Sequence, residues 1–156
     1  DEGITMRRFL DGGPEGFDGD AMPLAHILRH YTAAAALEDR PNVTLFHYAD
    51  MQRDLPGTFA RVAASLGIEH PPHVMETLVA AARFDNMKAN ATRFAPSGGK
   101  GFMKSDADFF HSGTSGKWEG YLTGAEEAAY DAAMAAALPA AQRAWLEYGS
   151  TGRPED

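Results

Sequence analysis

Cysteine is absent from the 156-residue chain. That excludes disulfide scaffolds, thiolate zinc sites and cysteine nucleophiles, and it fits a reducing compartment. Long apolar runs are absent too. None approaches the roughly 18 residues of a membrane helix, and the opening residues Asp1, Glu2 and Gly3 lack the basic and apolar pattern of a signal peptide. A cytoplasmic protein with no membrane contact is the expectation. Positive charge is scarce, with 14 Lys and Arg against 22 Asp and Glu and a formal net charge of −8. A phosphate-tracking surface needs a surplus of Lys and Arg on at least one face, so general nucleic-acid binding is disfavoured. What remains is 44% hydrophobic and 23% charged, the profile of one soluble globular domain. A chain of this length buries roughly 70% of the surface its unfolded form exposes, so no staple is needed.

The scarce positive charge is unevenly placed. Between Arg83 and Lys117 stand Arg83, Lys88, Arg93, Lys100, Lys104 and Lys117 against only Asp85, Asp106 and Asp108. A short basic island in an acidic chain suits a small anionic ligand better than a polyanion. Chance clustering of solvated lysines is the plain alternative.

Periodicity divides the chain into segments. Phe9 and Leu10 suggest a helical turn with Met6, after which residues 11–20 hold glycines and a proline and read as a loop. Over residues 21–37, Leu24, Ile27, Leu28, Tyr31 and Ala35 recur at helical spacing. Residues 43–48, Val-Thr-Leu-Phe-His-Tyr, are β-branched and aromatic, follow Pro41 and Asn42, and read as a buried strand. Leu55, Phe59, Val62, Ala63 and Leu66 form the stripe of a helix that Gly67 stops. Pro71 and Pro72 open another, and residues 84–90 a short further one. Residues 91–117 show little periodicity, a length that in a compact domain is either functional or disordered. Thr123 with Glu126 makes a capping box for an alanine-rich helix interrupted near Pro139, and Trp145, Leu146 and Tyr148 form a last apolar patch that docks it.

Three groups of residues could carry chemistry. His26 and His30 stand four apart on one helix face, the spacing of helical zinc ligands. No general-base glutamate follows His26 and no third ligand is signalled, so a surface pair of histidines competes with a metal-dependent hydrolase. Glycines and hydroxyls in residues 109–118 could cradle phosphate oxygens. This is not a Walker A loop, because Lys117 precedes Trp118 instead of Ser or Thr, and a plain surface loop is the alternative. Phe84 and Met87 fall on one side of a helical turn beside Arg83. They either hold a flat heteroaromatic ring or pack into a core.

In their order, these segments resemble the C-terminal half of the sulfotransferases that use 3′-phosphoadenosine 5′-phosphosulfate (PAPS). LFHYADM at 45–51, with closure at Ser65-Leu66-Gly67-Ile68, resembles the family's strand, acidic turn and helix. ARFDNMKAN at 82–90 is similar to its TSFxxMKxN segment, and FFHSGTSGKWEGYLT at 109–123 to its FxRKGxxGDWKxxFT loop. The helix carrying Tyr130 and Asp131 matches the penultimate helix. The likeness covers residues 20–148.

The resemblance implies an α/β, P-loop-NTPase-like sulfotransferase fold. This chain would supply, as a single domain over 1–156, a helix-rich C-terminal part with one clear strand. It implies PAPS as co-substrate, adenosine 3′,5′-bisphosphate as product, no metal, and a sulfuryl group moved to a hydroxyl or amine of a small-molecule acceptor. Tyr48 would stand near the adenine or its ribose, and Phe84 and Met87 would flank the adenine. Arg83 replaces a serine that contacts the nucleotide. His111, Ser112 and Gly113 would close over the 3′-phosphate, with Gly113 giving its backbone amide.

Departures accompany the likeness. His111 and Ser112 replace an arginine and a lysine, and imidazole lacks the guanidinium fork. Arg83, Arg93 or Lys104 would have to compensate. The family's dimer motif is degraded to Glu119, Thr123, Gly124 and Ala128. The segments for the 5′-phosphosulfate, the histidine base and the arginine and serine of the 3′-phosphate are not found, and His26, His30 and His47 stand in the wrong context to replace that base. No catalytic residue is assigned, and the chain alone is expected not to turn over. The alternative is a non-catalytic nucleotide-binding or interaction module on the same scaffold.

Overall fold

A computed structural model describes residues 9–10, 23–95, 109–110, 113, 120 and 122–151. Among them are eight helices: α1 (Leu24–Ala35), α2 (Tyr48–Arg53), α3 (Leu55–Ser65), α4 (Pro72–Ala81), α5 (Phe84–Ala89), α6 (Ala91–Phe94), α7 (Gly124–Ala137) and α8 (Ala140–Tyr148). No described helix is long and apolar enough to cross a membrane. The chain divides into two compact units, one of residues 1–47 and 118–156, the other of residues 48–117.

The first unit is built on facing stripes of α1 and α7. Leu24 and Leu28 lie four apart on α1, Met134 and Leu138 four apart on α7 and its cap, and together they form the buried cluster. Met134 is its centre at 1% exposure, with Phe9, Leu10, Tyr31, Tyr130 and Leu146 packed around it. The capping box starts α7 as expected. Thr123 Oγ1 accepts from the Glu126 amide at 3.3 Å, and Glu126 Oε2 accepts from the Thr123 amide at 2.9 Å. The Thr123 amide, and after it the Thr123 hydroxyl donating to Glu126 Oε2 at 2.7 Å, hold the Glu126 carboxyl below the usual carboxylate range. Pro139 cannot continue the helix, so the chain breaks at Leu138 and restarts as α8. The break is clasped by Arg143, which reaches Asp131 at 2.5 Å and Glu147 at 2.9 Å. The C-terminal apolar patch docks in this unit: the Trp145 ring stacks on Tyr31 at 5.7 Å and takes the His47 ring edge-on at 5.2 Å.

The expected strand at residues 43–48 is a correction. Residues 43–47 join no sheet among the described residues, and Tyr48 already opens α2. A β-branched and aromatic run becomes a strand only beside a partner that completes its ladder, and no other described segment is a strand. Local bonds hold it instead. The Val43 amide donates to Arg40 O at 3.0 Å, and His47 Nε2 donates to Leu146 O at 3.0 Å.

In the second unit, helices consecutive in sequence pack on each other. Asp54 caps α3 by accepting from the Gly57 amide at 2.9 Å. The end of α3 is a Schellman turn, because Ile68 N donates to Ala63 O and Gly67 N to Ala64 O. Gly67 sits there at φ +64°, a conformation other residues rarely adopt. Pro72 stands at the first position of α4, where its missing N–H costs no helical bond.

Candidate functional site

The candidate nucleotide residues that are described all belong to the second unit. Tyr48 is the first residue of α2 and keeps 55% of its surface exposed. Arg83 is the extended residue that precedes α5, and its side chain is exposed. Phe84 and Met87 follow on α5, three apart and half-buried, so they share a side of this short helix as the spacing required. His111 and Ser112 lie outside the described residues, as do Lys104 and most of the basic, glycine-rich loop.

Gly113 is described, and it is where the site is tightest. Its φ is +61°, and a Cβ built there would meet Phe84 Cδ2 and Cε2 at 2.8 Å. Real Cβ atoms do not approach carbon so closely, so both the backbone conformation and the space demand glycine. The ring that fills this space belongs to an aromatic series. Phe84 meets Phe110 edge-to-face at 6.0 Å, and Phe110, only 6% exposed, meets Phe109 in the same way at 5.0 Å. The aromatic series therefore holds α5 against the start of the loop, while Gly113 is seated on the Phe84 ring.

A second tie comes from α2, where the Gln52 side-chain amide donates to Gly113 O. Gln52 is the residue that reading the sequence missed. The signal was present only as spacing: Gln52 lies four residues after Tyr48, hence on the same side of α2. Nothing in the sequence shows that this side meets residue 113. On the same helix Arg53 pairs with Asp50 at 2.5 Å. The result is a glycine fixed on one side by an aromatic ring and on its carbonyl by an uncharged donor. Such a residue can present its own N–H to an anion at close range, since no side chain stands in the way.

Arg83 and Lys88 flank Phe84 and Met87 in sequence and are exposed, and on α6 the Arg93 guanidinium lies 5.8 Å from the Phe94 ring. His26, His30 and His47 belong to the first unit. His47 is bonded to α8 and meets the Trp145 ring edge-on in the first unit. His26 and His30 are exposed on α1, and no group of three His, Asp or Glu side chains fit to hold a metal occurs among the described residues.

The family model for the sulfotransferase domain matches residues 14–142. A glycolipid sulfotransferase of Mycobacterium bovis is 36% identical over 129 residues, which is 83% of this chain and 39% of that protein. Rat sulfotransferase 2A6 is 26% identical over 70% of this chain and 39% of its own length. The chain thus spans about two fifths of the length of these curated relatives. Among solved structures, mouse sulfotransferase SULT7A1 complexed with PAP superposes with a TM-score of 0.64, at 17% identity, over 96% of this chain and 59% of the mouse chain. That likeness establishes a sulfotransferase fold, of which the described residues form a helical part. The match over most of the chain and the identity to the mycobacterial enzyme lead to one conclusion: this chain belongs to the sulfotransferase domain family.

Proposed function

We propose that this chain is the nucleotide-holding, C-terminal portion of a PAPS-dependent sulfotransferase that moves a sulfuryl group to a hydroxyl or amine of a small-molecule acceptor. The observation that carries the reading is the seating of Gly113 on Phe84 at a positive φ, at the position where the family's loop gives a backbone amide to the 3′-phosphate. The relative solved with PAP, the product nucleotide, supports the same ligand class. In this reading the exposed Tyr48 ring meets the adenine or its ribose, and Phe84 and Met87 flank the adenine from α5. Arg83 supplies charge that the serine it replaces would not. His111 and Ser112 approach the 3′-phosphate beside Gly113.

The reaction forms a bond from the acceptor oxygen or nitrogen to sulfur and breaks the sulfur–oxygen bond to the 5′-phosphate. The acceptor proton passes to a base, and the nucleotide leaves as adenosine 3′,5′-bisphosphate. This chain's contribution is to bind and orient the nucleotide, and none of its histidines is assigned as that base. Identity to mycobacterial glycolipid sulfotransferases makes a glycolipid hydroxyl the first acceptor to try.

Calorimetric titration of adenosine 3′,5′-bisphosphate into the chain tests the reading. One nucleotide per chain is expected, with binding weakened as ionic strength rises. Absence of heat at millimolar nucleotide would favour the second reading, a non-catalytic module on this scaffold, whose motive is His111 in place of the family's arginine.

A further inference from the structure

The geometry points to Gln52 as a positioning residue for the 3′-phosphate loop, an inference that rests on the nucleotide reading above. Its side-chain amide donates to Gly113 O, while the Phe84 ring occupies the space where a Cβ at Gly113 would stand. Residue 113 is therefore held at two points by two different helices, α2 and α5. A glycine free of such ties samples both signs of φ. Held in this way, it keeps one orientation, and its N–H keeps one direction. The chemistry of the tie also matters. A neutral amide donates to the carbonyl without adding charge, whereas a carboxylate of the same size would repel both the carbonyl and an incoming phosphate.

Gln52 shares a side of α2 with Tyr48. One short helix thereby links the residue expected at the adenine end of the nucleotide to the loop expected at its 3′-phosphate. Gln52 touches no part of the nucleotide in this account and acts through Gly113. Its effect should consequently fall on the 3′-phosphate alone.

The test compares two nucleotides that share adenosine and the 5′-phosphate and differ only at the 3′ position. Adenosine 3′,5′-bisphosphate and adenosine 5′-monophosphate are titrated into the wild-type chain, Gln52→Met and Gln52→Glu, with helical circular dichroism recorded on each. Methionine keeps the length of the side chain and removes the donor; glutamate keeps its shape and, at neutral pH, only accepts. For Gln52→Met the bisphosphate Kd is expected to rise about five- to tenfold, the net effect of one lost hydrogen bond, and for Gln52→Glu by at least as much because repulsion is added, with the monophosphate Kd unchanged within twofold in both. Either variant alone suffices if the other does not fold. Unchanged bisphosphate affinity, or equal losses for both nucleotides, overturns the role of Gln52 and leaves the nucleotide reading standing. A wild-type chain that does not bind the bisphosphate overturns that reading, and the inference with it.

Discussion

Gly113 combines two constraints that are independent of each other. Its φ of +61° disfavours any side chain, and the Phe84 carbons 2.8 Å from a built Cβ leave no room for one. Placing an ordinary residue in the left-handed region costs roughly 1–2 kcal/mol before any clash is counted. Gly113→Ala is expected to weaken adenosine 3′,5′-bisphosphate about tenfold, and Gly113→Trp to abolish binding, both read by calorimetry. Wild-type affinity in the tryptophan variant would mean that the loop is not where the nucleotide binds. Phe84 and Met87 drew notice in the sequence through their aromatic and thioether chemistry, and Gly113 through the resemblance of its loop to the family's. Gln52 was invisible because its role depends on a contact across 61 positions of chain, and an amide on an exposed helix carries no local mark.

Helix boundaries were legible for the same local reason. Thr123 with Glu126, Pro139, Gly67 and the Pro71-Pro72 pair each act within a turn, and each stands where the spacing placed it. The strand at residues 43–48 failed because a strand, unlike a capped helix, is completed by a distant partner. Two predictions belong to the α7 and α8 elements. Met134, at 1% exposure between α1 and α7, should cost about 2–5 kcal/mol when replaced by alanine, read from urea unfolding. Tyr130, on α7 against Glu147 and Arg143 of α8, has its phenol pushed up to about 12, mainly by burial and then by the charge of Glu147. A phenol whose folded value lies above its ordinary 10.0 stabilises the fold fully below pH 10 and loses that contribution as pH rises through about 12. The fall in thermal midpoint across that interval should be smaller in Tyr130→Phe than in the wild type. Equal slopes would show that Tyr130 titrates alike in both states.

At the scale of the whole molecule, the candidate nucleotide residues that are described gather in residues 48–117, while the α1 and α7 core lies in the other unit. Composition gave the acidic balance, the placement of Lys and Arg gave the basic island, and the order of short motifs gave the family. The acceptor was not legible, because acceptor pockets in such folds are built from variable loops that no spacing rule describes. The central claim is that this chain holds a 3′-phosphorylated adenine nucleotide through the Gly113 loop. Native mass spectrometry of the 16.8 kDa chain, with and without adenosine 3′,5′-bisphosphate, tests it most directly. A single nucleotide adduct on the wild type, lost in Gly113→Trp, is the predicted result. No adduct on the wild type, or an adduct that persists in the variant, would contradict it.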